Sequence, residues 1–131
     1  MKVHVFRLHP GELLREEIEK FVANEDIDAG IILTCCGNLS KAVIRMADAN
    51  IVKTYDGTFE ILSLAGTVEK GDCHLHITIS DKDGNAFGGH LKQGSIVGVT
   101  AEIAIGELDK YKFKREFDER TGYKELVVEK S

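Results

Sequence analysis

CHLHITISDKDGNAFGGHL, residues 73–91, decides how this chain is read. Two histidines stand at alternate positions of a strand-like run. A turn follows, then two glycines and a third histidine. On a β-strand, residues i and i+2 share a face. His74, His76, Thr78 and Ser80 therefore line one face. Cys73, Leu75, Ile77 and Ile79 line the other, which is the more apolar and packs on the core. The length of the turn decides where His90 falls. A two-residue turn at Asp83-Gly84 pairs Lys82 with Asn85 and sets His90 opposite Ile77, on the wrong face. A three-residue turn, Lys82-Asp83-Gly84, pairs Asp81 with Asn85 and sets His90 opposite His76. Three-residue hairpin loops end in a left-handed residue, which glycine adopts at little cost, and Gly84 stands at that position. The turn chemistry thus predicts a register in which three imidazoles converge.

Directly opposed Cβ atoms lie roughly 5 Å apart, so two rings on one strand and one on its neighbour can reach a single ion. Zinc takes neutral imidazole, and three protein ligands with an open fourth position is the arrangement of catalytic zinc sites. The same donor set suits nickel, cobalt or iron. The expected cofactor is a divalent metal, zinc first, on His74, His76 and His90. Cys73 points to the opposite face and is no ligand. Gly88 and Gly89 leave room for a ligand, or for a backbone to approach closely. Alternating histidines also occur as plain solvent-facing stripes, and the short motif leaves both readings open.

Around this hairpin the pattern is mostly β. KVHVFRL (2–8) alternates and reads as a strand. In GELLREEIEKFVAN (11–24), Leu14, Ile18, Phe21 and Val22 share one helical face, with Pro10 suited to the first turn and Glu16 and Lys20 spaced as an i,i+4 pair. GIILTCCG (30–37) is a continuous apolar run, read as a buried strand with Cys35 and Cys36 inside. KAVIRMA (41–47) reads as a second strand that pairs with it. Asp56-Gly57, between NIVKTY and TFEILSLAGTVE, carries a hairpin signal. Gly98 marks a bulge in the long run 95–108, and Thr121-Gly122 joins two polar alternating segments. The expected fold is an α+β domain over residues 1–131, a mostly antiparallel β-sheet with one main helix near the N-terminus packed against it.

Composition narrows the function classes. Apolar residues make up 43% and charged residues 30% of 131, the balance of a globular domain. The start MKVHVFRLHPGE has no signal-peptide run, and three cysteines, two of them adjacent, read as reduced thiols in the cytoplasm. A net charge of −5 argues against a general phosphate-binding surface. The one basic–aromatic cluster, Lys110 to Arg115, is ringed by Glu107, Asp109, Glu116, Asp118 and Glu119, which cancel much of its field. Glu60 is an acidic residue among apolar neighbours. It is a candidate general base or histidine partner, or else a solvated surface residue. His4 reads as a surface strand residue.

The stretch GTFEILSLAGTV (57–68) followed by 73–91 resembles the plant and prokaryote conserved (PPC) domain. FRLHPGELL (6–14) and REFDERTGYKEL (115–126) resemble its stand-alone prokaryotic members. The resemblance implies an antiparallel sheet with packed helices and a homotrimer. It also implies a metal on His74, His76 and His90, and a protein contact through Gly57, Thr58, Phe59, Glu60, Ile61 and Leu62. Plant members follow AT-hooks in DNA-binding proteins. This chain has no Arg-Gly-Arg-Pro sequence, and Thr58 stands where plant members carry Arg, so DNA association rests on analogy alone. Two functions stay open: a trimeric metal-binding module that binds a protein or small ligand, and a zinc-type enzyme acting on a small molecule.

Overall fold

The computed structural model describes residues 1–131. Eight strands and one helix follow in chain order: β1 (Lys2–Leu8), α1 (Leu14–Asn24), β2 (Gly30–Arg45), β3 (Val52–Glu69), β4 (Asp72–Ser80), β5 (Ala86–Leu91), β6 (Ile96–Glu107), β7 (Tyr111–Asp118) and β8 (Tyr123–Lys130). Six strands form one antiparallel sheet in the order β1-β6-β2-β3-β4-β5. β5 then returns to pair with the end of β2, through Ile44↔Leu91 and Arg45↔His90. The sheet therefore curls until β2, β3, β4 and β5 close on one another. The expected α+β architecture, antiparallel with a single helix near the N-terminus, is the one the chain adopts.

The curl encloses the core. Leu14, Ile18 and Val22 of α1 are fully buried, as are Leu75 and Ile79 of β4, Leu91 of β5 and Ile105 of β6. Each such side chain contributes about 1.5–3 kcal/mol of transfer free energy. The β4 alternation holds: Cys73, Leu75, Ile77 and Ile79 are buried and His74 and His76 face outward. β7 and β8 form a separate two-stranded sheet. It is fastened by the amide of Phe113 donating to Asp28 O and by Arg115, whose guanidinium meets Glu69 at 3.2 Å and Thr67 at 2.8 Å.

Several expectations need correction. Asp56-Gly57 is no hairpin turn. The segments on both sides pair with the same strand, Tyr55 with Ala42 and Phe59 with Leu39, so β3 runs straight through with a bulge at this point. Gly57 has φ +149°, which absorbs the extra residue. GIILTCCG and KAVIRMA are one strand, β2, and do not pair with each other. Within it Cys35 is buried and Cys36 exposed, because the outer face of this part of β2 is open. Pro10 lies ahead of the helix, in a turn where the Glu12 amide donates to His9 O and Gly11 takes φ +88°. Lys20 approaches Glu17 at 3.7 Å rather than Glu16, since the Glu16 carboxylate turns away to accept from the Gly94 amide. His4 is buried at 9% exposure, edge-on to Phe21 and 2.8 Å from Glu107. α1 covers that face of β1, which a reading of β1 alone does not reveal. The bulge foreseen at Gly98 is present: the β2–β6 register shifts between Gly37 and Leu39, where the Val99 amide donates to Asn38 Oδ1 at 2.7 Å.

Candidate metal centre

The β4–β5 hairpin has the three-residue turn. Gly84 takes φ +83°, the Asp81 amide donates to Asn85 O at 3.0 Å, and the Asp81 carboxylate accepts from the amides of Asp83 and Asn85, both at 2.9 Å. The register that follows sets His76 opposite His90. The row continues across the sheet on both sides, Ala65 of β3 facing His76 and Arg45 of β2 facing His90. His74 lies two residues along β4 on the same face. The three rings close a triangle with centroids 5.0, 5.3 and 5.6 Å apart. One nitrogen from each ring lies within 4.8 Å of the other two.

Gly88 and Gly89 serve the chain's own strands. A Cβ at Gly88 would collide with the Ile77 carbonyl of β4, and one at Gly89 would lie 2.5 Å from the Arg45 carbonyl of β2. Their bareness lets β5 fit between β4 and β2, and that fit places His90 and Arg45 side by side.

The electrostatics favour the neutral form of His74 and His90. Burial lowers His74, helped by His76 and Arg115. Burial also pushes His90 down to about 4, with Arg45 and His74 adding to it. Neutral imidazole is the form that ligates metal. A tetrahedral ion with bonds of about 2.05 Å holds its donors about 3.3 Å apart, a spacing that small ring rotations reach from the present triangle. The donor set therefore fits a divalent transition metal. One neighbour opposes it: the Arg45 Nη2 lies 3.4 Å from His90 Nδ1 and places positive charge beside the centre.

The triangle sits in an open depression of about 440 Å³, lined also by Arg15, Arg45, Arg115, Lys124 and Glu125. Arg15 and Arg115 are committed elsewhere. Arg15 pairs with Glu19 at 2.7 Å and donates to the carbonyls of Leu91 and Cys73, and Arg115 is paired with Glu69. Sequence reading placed none of the five at this site, and Arg115 figured there only in the basic–aromatic cluster. Their placement depends on the β2–β5 closure and on how β8 packs, and the Gly88-Gly89 pair was the one local hint of a close approach.

The other candidates lie elsewhere. Glu60 pairs with Ser80, at the far end of β4 from His74 and His76, and does not line the depression. Of the 57–62 stretch, Phe59 and Ile61 are buried, whereas Gly57, Thr58, Glu60 and Leu62 face outward. In the basic cluster, Lys114 is held by Glu129 at 2.7 Å and Glu116 at 3.2 Å, and Arg115 is half-buried and paired with Glu69.

With the site in view, comparison with known proteins is decisive for the family. The family model described as the Plants and Prokaryotes Conserved (PCC) domain matches residues 1–109. The chain belongs to the PCC family. The match takes in β1 to β6, and with them the three histidines and Arg45. The bifunctional protein GlmU of Synechococcus sp. (strain JA-3-3Ab) is 38% identical over 130 residues, covering 99% of this chain and 21% of that protein. The chain thus spans about a fifth of the length of this curated relative. A solved structure of a hypothetical protein from Salmonella cholerae-suis matches with a TM-score of 0.95 at 35% identity, covering 98% of this chain and 94% of the other. A metal-containing protein from Archaeoglobus fulgidus matches with a TM-score of 0.84 at 32% identity, covering 97% and 94%. No helix is long and apolar enough to cross a membrane.

Proposed function

We propose that this PCC-family chain is a small metal-binding module in which His74, His76 and His90 hold one divalent ion, zinc first. The ion keeps an open position toward the depression, where a small ligand binds. The observation that carries this reading is the convergence of three imidazoles within 4.8 Å, from two strands, at the edge of a cavity of about 440 Å³. A cavity of that size matches small-molecule sites. The likeness to the metal-containing Archaeoglobus protein supports it. Elemental analysis of the purified chain tests it. The expected result is about one zinc-class ion per chain and its loss in His76→Ala, and an unchanged metal content in that variant refutes the site.

The module works as a cytoplasmic homotrimer in this proposal. Support comes from the outer face of β1 and β2, where Val3, Val5 and Leu33 are exposed at 52%, 74% and 43%. Exposed apolar side chains gathered on one face mark an association surface. Light scattering after size exclusion should give three times the 14.5 kDa chain mass, and a monomer rules the trimer out. The outward residues of 57–62, Thr58, Glu60 and Leu62, are the proposed protein contact. DNA is the weaker partner in this proposal, because the chain carries a net charge of −5 and, within Lys110–Arg115, Lys114 and Arg115 are paired with carboxylates. Binding at low salt, where electrostatic affinity is strongest, would reverse that judgement.

A second reading is favoured by one observation, the Glu125 carboxylate lining the same depression. Bound zinc lowers the pKa of its water to near 7 and so supplies a hydroxide at neutral pH. With zinc held by His74, His76 and His90, Glu125 would be the carboxylate available to receive a proton, and the chain would be a hydrolase or hydratase of a small substrate. Saturable turnover that Glu125→Gln abolishes, with metal content unchanged, selects the enzyme.

A further inference from the structure

The unplaced element of the site is Arg45. Its Nε is buried and has no hydrogen-bond partner, and its one polar contact is the 3.4 Å approach of Nη2 to His90 Nδ1. Arginine only donates, with five N–H groups in a planar fork, and a buried donor left unpaired is costly. Of the three arginines that line the depression, Arg45 alone lacks a carboxylate partner.

Metal binding removes even that one contact. A neutral imidazole has one N–H and one lone pair. If the ion takes Nε2 of His90, Nδ1 carries the proton and meets Arg45 donor to donor. If the ion takes Nδ1, its lone pair is used. On either choice the Arg45 guanidinium has no acceptor, and it lies beside an ion whose three protein ligands contribute no negative charge. Lys124, with no carboxylate partner, lines the same depression and adds a second cation, set against Glu125.

We infer that the ligand of this site is a small oxyanion, a carboxylate or a phosphate group. One of its oxygens fills the open metal position and another is gripped by Arg45. The inference rests on the metal reading above. The geometry suits it: the His76–His90–Arg45 row spans three adjacent strands, so the guanidinium is one strand-step from the ion's last ligand. A guanidinium N–H beside the ion needs a second acceptor atom on the same group, which an oxyanion has and a simple halide lacks.

The test uses the full chain loaded with Co²⁺, whose visible bands report the coordination of the ion. Metal stoichiometry is measured first. Inorganic phosphate, acetate and chloride are then titrated separately. The expected result is a saturable band change with phosphate or acetate, the tighter of the two naming the group. Arg45→Gln should hold as much metal yet bind that oxyanion at least tenfold more weakly, with chloride affinity little changed. Arg45→Lys, which keeps the charge and most of the stem, should fold as the parent does and weaken oxyanion binding several-fold. Metal bound with no response to either oxyanion overturns this inference alone, as does equal oxyanion affinity across parent and both variants. Failure to bind metal overturns the metal reading and this inference with it.

Discussion

The placement of His90 depends on Gly89, and Gly89→Ala puts that dependence to a quantitative test. A Cβ there would lie 2.5 Å from the Arg45 carbonyl and 2.8 Å from Ile44 Cγ2. Cβ atoms do not approach other atoms within 3.0 Å, so β5 must withdraw from β2 by at least half an ångström. β2 cannot yield, because Ile44 and Arg45 are paired on their other side with Lys53 and Val52. Overpacking of this kind costs about 1–3 kcal/mol. The reduced freedom of the unfolded chain returns about 0.4–1 kcal/mol, leaving a net loss of about 1–2 kcal/mol. Unfolding entropy near 2.1 cal/mol/K per residue comes to about 275 cal/mol/K for this chain, so Tm should fall by about 4–7 °C. Zinc affinity should fall at least about tenfold, the effect of losing a ligand's support. Circular dichroism melts and a competitive chelator titration measure the two. Gly84→Ala is the control: its Cβ meets nothing within 4 Å, so it pays only for φ +83°, about 1–2 kcal/mol, and keeps its metal. If Gly89→Ala melts with the parent and binds zinc equally well, the β2–β5 seam does not position His90.

Other predictions concern charge and thiols. Arg115→Met leaves the Glu69 carboxylate, 5% exposed, without its cation, and should cost about 3 kcal/mol in urea unfolding. Adding Glu69→Leu should recover most of it, and a simple sum of two losses contradicts the pairing. In metal-free protein the His90 ring should titrate near 4 by NMR. Its folded pKa lies below the unfolded value of about 6.5, so between pH 6.5 and 4 the unfolded chain gains a proton that the folded chain refuses. Stability of the metal-free chain should therefore fall as pH drops through that window and level off below it, and a flat profile is the contrary result. At neutral pH a thiol reagent should modify Cys36 alone in the native protein, because burial pushes Cys35 and Cys73 up to about 12. Rapid labelling of two or three thiols tells against the fold as described.

What the sequence disclosed was local. The His74–His76 face, the Gly84 turn and the resulting His76↔His90 register follow from two-residue periodicity and one left-handed glycine. Both act over fewer than twenty residues. The helix face of Leu14, Ile18 and Val22 is of the same kind. What stayed hidden was set by which strand lies next to which. Asp56-Gly57 carries the residues of a hairpin turn, but both flanking segments find the same partner in β2, and the chain bulges instead of turning. Arg45 gives no signal in its own neighbourhood, since its importance comes from β5 returning to β2 across more than forty residues of chain. His4 looked exposed because nothing in β1 announces that Phe21 of α1 will cover it. Glu60 had the right chemistry for a site, and the ladder sets it at the wrong end of β4.

That His74, His76 and His90 share one ion is a claim that metal content per chain decides. Protein purified without chelator should carry about one divalent transition ion per chain by mass spectrometry of the elements. His74→Ala, His76→Ala and His90→Ala should each reduce that to a small fraction while remaining folded, because none of the three side chains packs in the core. Glu60→Ala, remote from the triangle, should retain the full complement. Metal-free parent protein after reconstitution with zinc, or single histidine variants that bind as much as the parent, would contradict the claim.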